Sequence, residues 1–567
     1  MKDPIRSLVC LAVVLLASCS DELITEKPVN FTQASVVYGD SVKISQFVNN
    51  IYSFLPEGYN RLGSNSMLAS ATDDAVHAVR GSAAEKLGTG AWGPTALRDD
   101  PFSSSYTGIR KSFVYEEEIH PEIQDIVMTA AGRDLYYGQV LFLRALLNFE
   151  LLKRFGGYPL VTEALDSDQD LNIPRSTYDE CVNYIAGLCD EAVNLLPSTY
   201  PSGHLGRATK GAALALKARL LLYSASPLFN DPGKAAGGLE SGSYDPAKWE
   251  AAAEAAAAVI NITDIGAPAY ELYKSGTGYD AFFYTLNGNQ EIILSKMATS
   301  NNTIERLNGP VSITGGEGGT SPSLDLVNAY EMETGEPFDW NNPAHAADPF
   351  AARDPRFAKS ILFNGATWMN NMTIETFEGG KDKVGNQATR TSFYLRKFLN
   401  INARWAGQTG KTLHCFPLFR YGEVLLNYAE AMNEAYGPDA DPEGFGMTAR
   451  QAVHLIRERA GLTGNTDLSL TVAPGDKTEM REAVRHERRI ELVFEEHRYW
   501  DLRRWRTAEQ VLNQPVRGLG ITRNPDETYS YMPHVVEQRV FAPRMYLYPF
   551  PQEEISRNSN LIQNTGW

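Results

Sequence analysis

Apolar residues recur at spacings of three and four along both ends of this 567-residue chain, a pattern typical of amphipathic helices. The spacing predicts helices over residues 33–52, 134–155, 177–196, 207–226, 249–262, 416–436, 448–461 and 479–494. Neighbouring helices are joined by short turns, as they are in tetratricopeptide-like repeats. The sequence therefore predicts a mainly α protein built on a scaffold of degenerate helix pairs.

The middle of the chain, residues 270–405, breaks this pattern. It is rich in Gly, Asn, Thr and aromatic residues, with a glycine cluster at 315–319. Only short β-like runs, such as 291–294 and 393–397, interrupt the loops. Long loops on a regular scaffold usually carry recognition, so we expect the ligand region here.

Charged and aromatic residues are concentrated at 485–505, RHERRIELVFEEHRYWDLRRW. On one continuous helix its apolar residues would form a stripe of Ile490, Val493, Phe494 and His497. Glu495–Arg498 and Asp501–Arg504 would be ion pairs at a spacing of three. The pattern predicts a buried or half-buried ionic seam where several helices meet.

Composition and motifs exclude several functions. The formal charge of −17 argues against nucleic-acid binding. His486-Glu487 begins like a zinc motif, but Ile490 stands where the second histidine is required. The GTGAWG stretch, 88–93, matches a dinucleotide fingerprint but neither follows a strand nor opens a helix. We therefore expect no cofactor and no metal centre, although scattered Asp and Asn loops leave calcium open.

The N-terminus predicts export. A basic start, an apolar core at 8–16 and small residues before Cys19 form a signal peptide over 1–18. Leu16-Ala17-Ser18-Cys19 resembles the bacterial lipobox, which implies that Cys19 is acylated. The ordinary alternative is a secretory peptide followed by a chance cysteine. Cysteines at 181, 189 and 415 are interpreted as packing residues.

Loop aromatics and nearby polar residues supply the candidate ligand site. A sugar presents apolar faces and many hydroxyls, so its site needs flat aromatics with polar groups at the rim. Trp92 lies among Gly, Ala and Pro and is interpreted as the main platform, although it could equally pack its own loop. The candidate set is Trp92, Asp73, Asp74, Arg80, Tyr279, Phe283 and Trp340. The alternative for Asp73 and Asp74 is local hydrogen bonding.

Several motifs in order resemble the SusD/RagB family of Bacteroidetes surface lipoproteins. They lie at 133–163, 207–230, 416–436, 488–505 and 547–567. The resemblance implies a single SusD-like domain over 19–567: an N-terminal part at about 19–270, a loop-rich ligand region at about 270–405 and a C-terminal part at about 290–567. It also implies a glycan ligand, a ligand-contacting aromatic near Trp92, and delivery to a SusC-like TonB-dependent outer-membrane transporter.

Two other functions stay open at this point. A glycoside hydrolase would need two carboxylates about 5–10 Å apart across a cleft, and no motif singles out such a pair. A lipoprotein that carries peptide cargo or binds another protein through its helical repeats would not depend on Trp92.

Overall fold

The computed structural model describes residues 34–567 except 166–168, 201–202, 232–242, 265, 275–281, 286–287, 314, 386 and 404–409. The lipobox with Cys19 and the candidate Tyr279 lie outside the described residues. The N-terminal helices are α1 Ala34–Tyr38, α2 Ser41–Tyr52, α3 Ala83–Gly88, α4 Phe102–Val114, α5 Ala130–Phe155, α6 Tyr178–Leu195, α7 Lys210–Ala225, α8 Pro227–Asn230 and α9 Ala247–Ile260. The later helices are α10 Thr303–Asn308, α11 Leu324–Ala329, α12 Pro343–Ala347, α13 Phe357–Ser360, α14 Tyr421–Tyr436, α15 Ala449–Ala460, α16 Lys477–Glu491, α17 His497–Arg504, α18 Ala508–Val511 and α19 Gln552–Arg557.

The strands are short and pair two by two. They are β1 Ala75–His77, β2 Thr263–Asp264, β3 Ala267–Pro268, β4 Ile292–Met297, β5 Thr320–Pro322, β6 Ile361–Leu362, β7 Thr367–Trp368, β8 Met372–Thr373, β9 Tyr394–Leu395, β10 Cys415–Arg420, β11 Val516–Arg523 and β12 Tyr529–Glu537. All pairs are antiparallel: β1 with β5, β2 with β3, β4 with β10, β6 with β9, β7 with β8, and β11 with β12. A mainly α fold with few short strands is confirmed.

The long helices pack successively against one another. The series runs α4, α5, α6, α7, α9 and α14, and α14 also contacts α15 and α16. Helix α9 therefore packs directly on α14, although about 160 residues separate them in sequence. The loop-rich middle projects from a continuous helical scaffold and does not divide it.

Local sequence signals set the ends of these helices. Thr177 and Thr448 form capping boxes at the starts of α6 and α15: each hydroxyl accepts the backbone N–H of the residue three positions on, and that residue's side chain accepts the threonine's own N–H. Gly461 ends α15 with φ of 88°, a left-handed conformation that glycine adopts without steric cost. Cys181 and Cys189 are free and buried, as predicted for packing cysteines on one helix.

Two predicted helices are wrong in part. The described part of 33–52 forms two helices, because Asp40 between them accepts the Val42 N–H and starts α2 anew. The first five residues of 416–436 belong to strand β10, which is paired with β4 and buried throughout. The C-terminal tail contains one short helix, α19.

The expected single helix through 485–505 is also wrong. Helix α16 ends at Glu491, and Phe494 and Glu496 adopt left-handed φ values of 63° and 69° before α17 begins. The turn directs Glu495 away from Arg498 and into the core. Buried ion pairs stabilise this turn against its backbone strain.

The predicted ionic seam is confirmed. Arg420 on β10 donates to Glu491 at 2.8 Å and to Glu495 at 2.6 Å. Lys397 reaches Glu495 at 2.7 Å, and Arg356 reaches Glu491 at 3.0 Å. All five side chains are buried. The seam therefore joins the loop-rich middle to the C-terminal helices.

Among the described helices, none combines the length and apolar content that a bilayer crossing requires.

Candidate functional site

A partly exposed aromatic cluster lies in the loop between α11 and α12 and is completed by β12. The indole of Trp340 is half-buried, 5.1 Å from the Phe338 ring and 6.1 Å from the Tyr531 ring, measured between centroids. Its Nε1 donates to Asn328 Oδ1 at 3.1 Å. Because this hydrogen bond and the two rings fix the indole, Trp340 offers a pre-oriented flat surface. We call Phe338, Trp340 and Tyr531 the aromatic face.

The aromatic face packs against buried His345 and Arg353 and half-buried Phe350. Phe338 lies between the imidazole of His345, 5.6 Å away and nearly parallel, and the guanidinium of Arg353, 4.1 Å away. Tyr531 packs edge-on against Phe350 at 5.9 Å. Burial, with Asp348 nearby, raises the pKa of Tyr531 to about 12, so its hydroxyl stays protonated and can donate at neutral pH.

Exposed polar side chains surround Trp340. Asp339, Asn341 and Asn342 are all exposed. Asp339 Oδ1 accepts the Asn341 N–H at 2.8 Å, and Asn342 caps α12 by accepting the Ala344 N–H at 3.0 Å. Carboxylate and amide groups beside an aromatic plane are able to bind hydroxyls while the ring covers an apolar face. The arrangement suits a sugar, and Trp340 stays a prediction as a ligand contact.

The structure contradicts the prediction that Trp92 is an exposed platform. Its side chain is only 7% exposed, with its ring 4.9 Å from Tyr548 and 4.8 Å from Trp567. Both partners belong to the C-terminal tail, more than 450 residues away in sequence. Residues from a distant part of the chain therefore supply the apolar contacts that the sequence neighbours of Trp92 do not provide.

Asp73 and Asp74 are likewise corrected as hydroxyl-binding candidates. Arg498 contacts both oxygens of Asp73 at 3.0 and 2.8 Å, and Arg489 Nε reaches Asp74 at 2.8 Å. Burial disfavours the charged form of Asp73, but the two guanidinium groups outweigh it and lower its pKa. Burial raises the pKa of Asp74. Both carboxylates serve ion pairs with α16 and α17.

Phe283 is corrected for the same reason as Trp92. It is 1% exposed and packs 4.7 Å from the Phe398 ring and 4.6 Å from Phe282. Its position in a loop gave no sign of this burial. Of the three candidates Tyr279, Phe283 and Trp340, only Trp340 is both described and partly exposed.

Arg80 is exposed but stands apart from Trp340. Arg80 follows β1. The Arg390 guanidinium donates hydrogen bonds to the His77 carbonyl on β1 and to the Val536 carbonyl on β12. Tyr531, beside Trp340, is five residues from Val536, about 17 Å along a strand. The segment of Arg80 and the aromatic face therefore lie towards opposite ends of β12.

Sequence reasoning missed Tyr531 and the whole β11–β12 hairpin. The alternating run Tyr-Ser-Tyr-Met at 529–532, preceded by Asn-Pro-Asp, carried a strand-and-turn signal. In the structure Tyr529 and Tyr531 point to the packed side, while Met532 is 73% exposed. Among the described residues, no cluster of three or more His, Cys, Asp or Glu side chains is arranged to hold a metal.

Comparison with known proteins decides the family. The model of the SusD family matches residues 290–567, and the model described as starch-binding associating with outer membrane matches 30–222. The chain belongs to the SusD/RagB family. The aromatic face lies within the region that matches the SusD family model.

Individual SusD-like proteins resemble the chain to different extents. SusD-like protein P25 of Formosa agariphila is 23% identical over 516 residues, covering 87% of this chain and 88% of that protein. SusD-like protein P2 of the same organism is 33% identical over 162 residues, which cover 28% of this chain and only 27% of P2. The stronger local identity is therefore limited to a short part of P2.

Solved SusD-like structures share the fold. One SusD-like protein from Bacteroides fragilis is 27% identical with a TM-score of 0.77, covering 94% of this chain and 98% of its own. A laminarin-binding SusD-like protein is 20% identical with a TM-score of 0.66, covering 93% and 100%. The helical scaffold and its order are thus common to these proteins.

Proposed function

We propose that this protein is a cell-surface lipoprotein that binds glycans and delivers them to a SusC-like TonB-dependent outer-membrane transporter. Family membership supports carbohydrate binding, and the laminarin-binding neighbour has the same fold. The observation that carries the proposal is the aromatic face: a half-exposed indole, fixed at Nε1 by Asn328 and bordered by exposed Asp339 and Asn341.

The aromatic face has the properties that sugar binding requires. The ring of Trp340 covers apolar C–H groups, while the Tyr531 hydroxyl and the Asp339 carboxylate exchange hydrogen bonds with hydroxyls. Because the indole is held in place before ligand arrives, little side-chain entropy is lost on binding. Arg80, which is exposed after the end of β1, either binds a separate part of a long glycan or does not contact the glycan.

Delivery and anchoring rest on the N-terminus and on the family. Acylation of Cys19 would hold the protein at the outer membrane, and Ser20-Asp21-Glu22 after it resembles the acidic signal that sends such lipoproteins to the cell surface. Replacing Cys19 with Ala should release the protein from membrane fractions. The transporter partner is tested by co-purification from solubilised outer membranes with the lipidated protein.

The binding test uses the soluble protein beginning after Cys19, affinity electrophoresis with a panel of polysaccharides, and calorimetry for any hit. Trp340→Ala is compared with Tyr244→Ala, an exposed aromatic on another surface. Retardation by one glycan that Trp340→Ala abolishes and Tyr244→Ala preserves is the expected result. Equal binding by the two variants would show that Trp340 is not part of the site. Absence of binding to every polysaccharide in the panel would contradict glycan binding.

A glycoside hydrolase is the competing function. Prolonged incubation of the pure protein with the glycan it binds, followed by product analysis, separates the two. Sugar release that survives further purification would overturn a purely binding role.

A further inference from the structure

A second concave site lies away from the aromatic face, between the loop after α2, the segment before α4, and α5. It is a pocket of about 340 Å³, at the lower end of the range for small-molecule sites. Its walls come from three stretches: 54–62, 98–105 and one face of α5 at 147–154. None of these residues belongs to the aromatic face or to the candidate set derived from the sequence.

The floor of the pocket is a closed ionic network. The Asp99 carboxylate accepts hydrogen bonds from Arg61 and, at 2.8 Å, from Arg154. Arg154 also forms an ion pair with Glu150 at 2.6 Å. Arg61 Nε donates to Glu496 at 2.5 Å. Lys153 also donates to Glu150 at 2.6 Å, so three carboxylates face three cations and the floor carries no unmatched charge for a ligand to neutralise.

The rim is different, because it holds two opposite charges, Arg98 and Asp100, that have no ionic partner among the described residues, with exposed Glu57 also in the lining. Arg98 forms no hydrogen bond or ion pair with any residue that the structure describes, and its Nε is buried without an acceptor. Asp100 accepts only the Phe102 N–H, at 2.9 Å, again within the described part of the chain. Asp100 is exposed, and its pKa is raised by a partial desolvation that the Phe102 N–H and the nearby Arg154 offset only in part. A buried polar atom without a partner, such as the Arg98 Nε, is uncommon and calls for an explanation.

Apolar side chains complete the lining. Phe54, Leu55, Leu62 and Leu147 face the same space as the two rim charges. A complementary ligand therefore has one anionic group, one cationic group and an apolar portion, within a small volume. A neutral sugar would leave both rim charges uncompensated.

We propose that this pocket binds a free α-amino acid with an apolar side chain, or a dipeptide of the same kind. The ligand carboxylate pairs with the Arg98 guanidinium, and the ligand ammonium pairs with the Asp100 carboxylate. The side chain packs on Phe54 and Leu147. The site goes beyond the proposed glycan function and is physically separate from it.

Calorimetry with leucine and leucyl-leucine tests the pocket, using the soluble protein that begins after Cys19. We expect saturable binding that Arg98→Gln and Asp100→Asn each weaken by about tenfold or more, as for loss of a charge-assisted hydrogen bond. Arg110→Gln, an exposed residue on α4 outside the pocket, is the matched control and should bind normally.

Modified ligands assign each rim charge. N-acetyl-leucine has no ammonium, so it should bind weakly to the parent protein and equally weakly to Asp100→Asn. Leucinamide has no carboxylate, so it should bind weakly to the parent protein and equally weakly to Arg98→Gln. A general loss of folding would weaken the binding of every ligand, so it could not produce this match between each modified ligand and one variant.

Three results would overturn the proposal: no binding of either zwitterion at millimolar concentration, binding unchanged in both rim variants, or neutral disaccharides competing for the pocket. Trp340→Ala should leave leucine binding intact. Failure of the glycan proposal and failure of this one are therefore distinguishable.

Discussion

Arg420 and Glu495 form a two-point ion pair in the interior, with Nε to Oε2 at 2.6 Å and Nη2 to Oε1 at 2.9 Å. Strand β10 supplies the arginine and the left-handed turn after α16 supplies the glutamate. Both side chains are 1% exposed. The pair thus fixes the start of α14 against the turn that breaks the 485–505 segment.

Replacing Arg420 with Met should lower the free energy of unfolding by about 3–5 kcal/mol, because Glu491 and Glu495 would keep buried charges with fewer partners. Urea unfolding followed by circular dichroism measures the change. Arg557→Met is the control, since that arginine pairs with exposed Glu553 and should change stability by less than about 0.5 kcal/mol. Equal effects would show that the seam contributes no more than a surface pair.

Acid should destabilise the fold through two buried glutamates. Burial opposes ionisation of Glu150, but Lys153 and Arg154 bring its pKa down to about 2; Arg504 does the same for Glu430. Both values are below the unfolded value of 4.5. Their stabilisation is therefore complete above about pH 4.5 and is lost as the pH falls towards 2.

By 1.36 kcal/mol per pKa unit, each buried glutamate should contribute roughly 3 kcal/mol at neutral pH. Unfolding free energies measured by urea at several pH values between 5 and 2.5 would show this decline. Glu430→Gln should be less stable at neutral pH and should show a shallower decline. An unchanged slope in that variant would assign the acid sensitivity to other groups.

Trp92→Ala should destabilise the protein by about 3–5 kcal/mol, the usual cost of removing a buried tryptophan. The tail residues that pack on it, Tyr548 and Trp567, should become more accessible to proteolysis. Where the variant remains folded, it should still bind glycan. Loss of glycan binding from a fully folded Trp92→Ala protein would return Trp92 to the site.

Two glycines should respond oppositely to alanine. Gly187 lies inside α6 with no atom within 4 Å of an added Cβ, so Gly187→Ala should stabilise by about 0.5–1 kcal/mol. Gly461 has φ of 88° at the end of α15, so Gly461→Ala should destabilise by about 1–2 kcal/mol. Thermal unfolding of the two variants beside the parent protein shows whether each substitution raises or lowers stability. A change in the same direction for both would contradict the backbone argument.

The helical scaffold was largely predictable, because its signals are local. The three-and-four spacing, Thr177 and Thr448 as caps, and Gly461 as a stop are all contained in short stretches of sequence. Predictions failed where a distant partner decided the conformation. The stretch 416–420 reads as helix but pairs with β4 as a strand, and Glu495 turns inward because Arg420 and Lys397 lie there.

The candidate site followed the same rule. Local composition indicated loop aromatics, and Trp340 is indeed half-exposed. It could not distinguish Trp340 from Trp92, because the exposure of each depends on whether residues from elsewhere in the chain cover it. The tail covers Trp92, whereas Trp340 contacts Tyr531 and Asn328 and remains half-exposed.

By itself the sequence determined the class of fold, the order of the long helices, the family and the existence of a buried ionic seam. These depend on periodicity, capping and composition, which act over a few residues at a time. Only the tertiary structure decided which charges pair, which aromatics remain exposed, and that Arg98 and Asp100 share a pocket. Burial and ion pairing are set by contacts between distant segments, and the free energy of those contacts exceeds local preference.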